Sequence, residues 1–199
     1  MNAPPPLPAE VLERVRDLLA RASEAGDLTE PASFTLATAD ADGRPSSRTL
    51  LLKDVNENGF VFYTNLRSRK AKQLQENPWA AMTFFWQSQF EQIQVEGPVE
   101  PVSDEEADEY WATRPRESQV GAWASDQSAP LADRATLETR VREFTDKFEG
   151  EPVPRPAHWS GYRLRPSCLE FWAARDFRLH DRETWTAKGD TWSQGLLFP

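Results

Sequence analysis

The sequence predicts a mainly β protein with peripheral helices, an α+β chain whose antiparallel strands curl into a barrel. Five apolar runs of strand length fall between residues 34 and 97, and tight turns join most of them. Helical spacing of apolar residues is confined to the flanks of this block and to one short interruption within it. Eight tryptophans and eleven phenylalanines add large flat surfaces, which suit a barrel core and equally a ring-stacking site.

Val11, Val15, Leu18, Leu19 and Ala22 recur at helical spacing, so residues 9–25 form an amphipathic helix closed by Gly26. The period then changes. Residues 34–39 make a strand, Asp40-Ala41-Asp42-Gly43 a tight turn, and residues 46–53 the returning strand of a hairpin. Asn58-Gly59 punctuates before a third strand over 60–64. Ser68 is the natural N-cap of a short helix over 69–75, and residues 79–86 and 90–97 supply the fourth and fifth strands. Ser103-Asp104-Glu105-Glu106 is a capping box that opens a helix to about residue 112. Leu131 begins another, whose buried stripe is Leu137, Val141, Phe144 and Phe148 and which Gly150 ends. The proline-rich stretch 151–156 is an extended connector. Strands over 159–164, 169–173, 177–185 and 191–197 complete the sheet, with Gly189-Asp190 at the last hairpin. Residues 1–8, with four prolines, read as a flexible segment, and residues 9–199 as a single domain.

Composition narrows the chemistry. Cys168 is the only cysteine, so there is no internal disulfide framework, which fits a reducing compartment. With His158 and His180 the only histidines, no metal site of imidazole or thiolate ligands is expected. No run of eighteen apolar residues occurs, and the chain reads as soluble and cytoplasmic. A formal net charge of -9 argues against a nucleic-acid partner. Between Arg44 and Lys72, however, seven basic residues stand against two acidic ones, a local field suited to a small anion.

Phosphate-competent groups are abundant where other signatures are missing. There is no Gly-x-Gly-x-x-Gly, no Walker loop, no His-Glu-x-x-His and no Cys-x-x-Cys. The helix opened by Ser68 carries Arg69, Lys70 and Lys72 in its first turn, the wrong sign for the positive end of a helix dipole, so an anion is expected there. Arg48, Lys53, Arg67, Arg114 and Arg116, with hydroxyls at Ser47, Thr64, Ser68 and Ser118, extend the set. In Arg178-Leu179-His180-Asp181-Arg182, strand periodicity puts Arg178, His180 and Arg182 on one face within roughly 13 Å. That stripe is either a small-anion site or a solvated face beside Asp181 and Glu183.

Five blocks, in order, carry a resemblance. They are Arg48-Thr49-Leu50-Leu51-Leu52-Lys53; Phe62-Tyr63-Thr64-Asn65 with Ser68-Arg69-Lys70; Arg114-Pro115-Arg116-Glu117-Ser118-Gln119 with Gly121-Ala122-Trp123; Glu170-Phe171-Trp172; and Arg178 to Arg182. Together they resemble the successive signatures of the pyridoxamine 5'-phosphate oxidase family over residues 11–199. The resemblance implies a split β-barrel that binds flavin mononucleotide (FMN), in a homodimer with its cofactor sites at the subunit interface. It implies flavin contacts from Arg48, Tyr63, Thr64, Arg69, Lys70, Gln92, Gln127, Ser128, Trp172 and Arg182. It places the phosphate of a vitamin substrate on Lys53, Tyr110, Arg114 and Ser118, and the pyridine ring under Arg178 and His180, the two residues it makes catalytic. The implied reaction is oxidation of pyridoxamine or pyridoxine 5'-phosphate to pyridoxal 5'-phosphate, with oxygen as acceptor and hydrogen peroxide released.

Arg48 and Lys53 are an odd number apart, so an unbroken strand would show them on opposite faces, and a bulge or strand end must intervene if both serve one site. Residues 1–10 lack the family's Arg-x-x-Tyr element, Glu91 stands where an arginine is usual, and Leu196 replaces a C-terminal arginine. These departures touch substrate closure and leave the flavin set nearly complete. A relative acting on a tricyclic precursor of phenazines shares the fold, as do flavin reductases and haem-utilisation proteins, so the resemblance leaves another ring-shaped substrate, or flavin binding with little oxidase activity, as alternatives.

Overall fold

Period-two burial sets the sheet: in β1 (Ser33–Ala39) Phe34, Leu36 and Thr38 are buried while their neighbours are not. The computed structural model describes residues 3–26 and 28–199. β1 pairs with β2 (Pro45–Leu51) and with β5 (Trp79–Trp86), and β5 pairs with β6 (Glu91–Pro101). Beyond β6 the order continues through β8 (Cys168–Ala173), β9 (Asp181–Lys188) and β10 (Thr191–Leu196). A branch runs from the end of β6 to β7 (Trp159–Leu164), β4 (Gly59–Asn65) and β3 (Asp54–Asn56). Among the described residues every pairing is antiparallel, and the ten strands curl into a half-barrel.

Phe34, Phe60, Phe62, Phe84, Trp86 and Ile93 fill the interior, and α1 (Ala9–Ala25) lays Val11, Val15, Leu18 and Ala22 against it. Gly26 ends α1 at φ 67°, a left-handed cap. A smaller core of Trp111, Val120, Phe148, Val153 and Trp159 lies under α3 (Asp104–Thr113), α4 (Arg116–Ala124) and α5 (Arg134–Lys147). Ser103 and Glu106 form both halves of the expected capping box. No helix among the described residues is long and apolar enough to cross a membrane. Of the segment 1–8, residues 1 and 2 lie outside the described residues; in the rest, Leu7 is buried with its N–H on the Glu57 carbonyl, and Trp192 donates to the Pro6 carbonyl.

Four expectations need correction. The strand over 177–185 starts only at Asp181, because β8 ends at Ala173 and the register pairs Ala173 with Asp181, which leaves residues 174–180 to make the connection. A 3-10 turn (Asp176–Arg178) lies there, with Phe177 and Arg178 at φ 57° and 62°. Arg178, His180 and Arg182 therefore do not share a strand face. α5 starts at Arg134, and of its expected stripe only Phe148 is buried; Val141 is exposed, since the helix covers a small core instead of the barrel. α4 was unforeseen: it is short, it follows Pro115, and only Val120 and Ala124 mark its inner face. β6 runs on to Pro101, beyond the expected end at residue 97, because its last residues join β7.

Candidate functional site

Neighbouring residues of β4 serve two different sites, because successive strand side chains point to opposite faces. Thr64 faces the start of α2 (Arg69–Glu76), where Lys70 is buried. The Lys70 ammonium donates to Thr64 Oγ1 at 3.0 Å, Ser68 Oγ at 3.3 Å and Gln127 Oε1 at 2.8 Å. Beside it, Arg48 donates from Nη1 to Thr38 Oγ1 at 2.7 Å and to the Leu36 carbonyl at 3.2 Å, and from Nη2 to Ser46 Oγ at 2.6 Å. All of these acceptors are neutral. Burial, with Arg48 nearby, lowers the Lys70 pKa to about 8; burial, with Arg69 nearby, also pushes Arg48 down. Arg67, Arg69, Lys72, Gln73, Gln127 and Ser128 line an adjoining cavity of about 730 Å³. Ser128 holds φ 72° there, a strained value for a residue with a side chain.

Tyr63 faces the other way. Its ring stacks on Tyr110 at 4.1 Å and on Trp159 at 5.3 Å, with interplanar angles of 11° and 3°. A Cβ on Gly161, its cross-strand partner, would lie 2.7 Å from the Tyr63 ring, so only glycine leaves room for this stack. The Arg114 guanidinium sits 4.6 Å over Trp159 and donates to the Ser118 carbonyl at 3.0 Å, and Lys53 lies 5.9 Å over Tyr110. Arg114 Nε is buried without a hydrogen-bond partner among the described residues, and burial pushes this group's pKa down. Lys53, Tyr110, Arg114 and Ser118, scattered in sequence, are thus gathered. Because β2 ends at Leu51, the odd spacing of Arg48 and Lys53 raises no conflict; a strand end intervenes.

A third group lies across the sheet. Gln92, Trp172 and Arg182 stand opposite one another on β6, β8 and β9. Arg182 forks onto the buried carboxylate of Glu170 at 2.7 and 2.9 Å, which raises the guanidinium pKa. His180, on the connection before β9, packs its ring 4.7 Å from Trp172 and accepts at Nδ1 from the Arg175 N–H at 3.2 Å. In the neutral imidazole Nε2 therefore carries the proton. Arg178 is exposed on the same connection, in the left-handed region. Among the described residues no hydrogen bond joins this group to the Lys70 cluster. Tyr63, expected with the flavin set, belongs geometrically to the Tyr110 stack, its hydroxyl on the Glu106 carbonyl at 3.2 Å. Sequence reasoning passed over Gln73, Thr38 and Trp159, each one polar or aromatic residue inside a regular element with no motif to mark it, and gave no role to Glu170, although that residue opens the Glu170-Phe171-Trp172 block.

Both parts of this arrangement fall in known family segments. Residues 21–148 match the model described as pyridoxamine 5'-phosphate oxidase, and residues 159–199 match the C-terminal dimerisation region of pyridoxine 5'-phosphate oxidase. The chain belongs to the pyridoxamine 5'-phosphate oxidase family. The pyridoxine/pyridoxamine 5'-phosphate oxidase of Gluconobacter oxydans is 52% identical over 177 residues, 89% of this chain and 88% of that one. That of Anaeromyxobacter dehalogenans is 49% identical over 199 residues, the full length of both. Among solved structures, PhzG from Burkholderia lata, in complex with tetrahydrophenazine-1-carboxylic acid, superposes with a TM-score of 0.90 at 35% identity, covering 96% of this chain and 94% of that one. The family's general character, an oxidase on the FMN-binding split barrel, holds for this member.

Proposed function

We propose that the chain is an FMN-dependent oxidase that converts pyridoxamine or pyridoxine 5'-phosphate to pyridoxal 5'-phosphate, acting as a homodimer with FMN at the interface. One observation carries this reading. Arg48, Lys70 and Arg114, the cations whose pKa burial pushes down among the described residues, have no carboxylate partner, and they form two separate clusters. Lys70 is buried and the two arginines half-buried, and cations so placed without counter-charge call for anions from outside the chain. Two such sites suit the phosphate of a cofactor and the phosphate of a substrate.

The residues present fit FMN. Arg48, Arg69 and Lys70, with Thr64, Gln127 and Ser128, would hold its phosphate, and Gln92, Trp172 and Arg182 would border the flavin ring. The chemistry FMN supplies when bound is acceptance of a hydride from the substrate carbon beside the pyridine ring, with reoxidation by oxygen to hydrogen peroxide. The protein's part is position and charge. Lys53, Tyr110, Arg114 and Ser118 fix the substrate phosphate, and the Tyr63–Tyr110–Trp159 stack holds Tyr110 rigid. Arg178 covers the ring's polar edge, and His180 offers its Nε2–H to a ring substituent. A two-fold partner would supply the row on β6, β8 and β9 to the Lys70 cluster of its mate; the match of residues 159–199 to a dimerisation region supports this.

The likeness to PhzG favours a second reading, a tricyclic carboxylic acid as substrate, with Arg114 pairing a carboxylate. Oxygen uptake separates the two. Turnover of both phosphorylated vitamers, lost on removing the phosphate and lost for the phosphorylated forms in Arg114→Ala, is the expected result. Turnover of a reduced phenazine carboxylic acid, with none of the phosphorylated vitamers, would overturn the proposal.

A further inference from the structure

The two hydroxyl protons beside Arg48 run to one atom. A guanidinium only donates, so Thr38 Oγ1 and Ser46 Oγ must accept from Arg48 and pass their own protons on. Both hydroxyls donate to Gln73 Oε1, at 2.6 and 2.8 Å, and Arg48 Nη2 also reaches it at 3.4 Å. This fixes the orientation of the Gln73 amide, since Nε2 could not face three donors. Gln73 is 4% exposed, its Nε2 has no acceptor among the described residues, and it lines the 730 Å³ cavity beside Arg69 and Lys72. A glutamate here would close the same network with a negative charge and neutralise Arg48 from within.

We propose that Gln73 is a positioning and specificity residue of the anion site: it terminates the Arg48 network with a neutral acceptor, keeps the cluster's positive charge for a phosphate, and turns Nε2–H toward that phosphate. This rests on the reading of the cavity as the FMN phosphate site. The positive charge at Arg48 and Lys70 is kept because Gln73 and Gln127, which bond them, are amides and not acids, while Asp40, Glu76 and Asp126, which also line the cavity, bond neither cation among the described residues.

The test is a fluorescence titration of flavin-stripped full-length protein with FMN and with riboflavin, which lacks the phosphate. The isosteric Gln73→Glu is expected to fold, to melt no lower than the unmodified apo-protein, and to lose FMN affinity by about 30- to 100-fold while riboflavin affinity stays unchanged. Ser46→Asp, at a half-exposed strand position, brings a carboxylate to Arg48 from its other side and is expected to give the same loss. Gln73→Met, neutral and of similar size, loses the Nε2–H donor but adds no negative charge, so it is expected to weaken FMN binding less than either acidic variant does and to keep a preference for FMN over riboflavin. A purely structural role for Gln73 predicts the reverse order, with Met more damaging than Glu. If either acidic variant folds and keeps the phosphate preference within about twofold, the inference is overturned and the FMN reading stands. If the unmodified protein itself binds FMN no better than riboflavin, both fall.

Discussion

Lys70 holds a charge in the protein interior against three neutral oxygens, and that imbalance has two measurable consequences. Its pKa in the fold, about 8, lies below the ordinary 10.5, so the unfolded chain binds the proton more tightly. In the cofactor-free protein the cost of the charge is therefore complete below pH 8 and is relieved as pH rises toward 10.5. Lys70→Met is expected to raise the melting temperature of the apo-protein by ~2–4 °C at pH 7, as read by calorimetry, while weakening FMN binding. FMN titrations across pH should show affinity falling above about pH 8, because the phosphate needs the protonated ammonium and the free protein gives it up there; an affinity flat from pH 7 to 10 would remove Lys70 from the site. The cationic residues themselves were legible in the sequence, since Ser68 followed by three bases in a first helical turn is an electrostatic anomaly. Their acceptors were not. Nothing about Thr38, 35 residues away from Gln73, announces that the two share a proton.

At the level of elements, strands and caps followed from local chemistry, whereas connections did not. Ser68, Ser103 and Gly26 bound their helices where expected, because capping is satisfied within one turn. The run Phe177-Arg178-Leu179-His180 has the composition of a strand and lacks a glycine or proline, yet the β8–β9 register converts it to a turn with two residues in the left-handed region. Long-range pairing outweighed local propensity there. The anion-deficient Tyr110–Arg114 cluster depends on β4 and β7 lying close at Gly161. Gly161→Ala is expected to drive the Tyr63 ring out of its stack and to cost about 2 kcal/mol in denaturant unfolding, with an altered near-ultraviolet dichroism of the tyrosine and tryptophan rings.

Seen as a whole, the molecule leaves apolar surface at its C-terminal half: Phe177, Leu196 and Phe198 are 92%, 82% and 94% exposed. Large apolar side chains left this exposed, within a segment that matches a dimerisation region, are better accounted for by a second copy than by solvent. Sedimentation should find a dimer, and the double variant Leu196→Lys with Phe198→Glu should sediment as a 22.7 kDa monomer that has lost its yellow colour; a monomeric variant that keeps one FMN per chain would show the site to be complete in one subunit. The eleven-residue β6 has a different consequence. It pairs with β5 and β8 along Glu91–Glu96 and with β7 at its end, so it belongs to both branches of the sheet. In a deuterium-exchange experiment its central amides, Ile93 and Val95, should exchange last, at the rate of global opening, while those of residues 177–180 exchange within the shortest labelling times. Gln92 then sits on the slowest clock in the molecule and His180 on one of the fastest: a candidate site whose floor is as durable as the fold and whose wall renews itself many times between unfolding events.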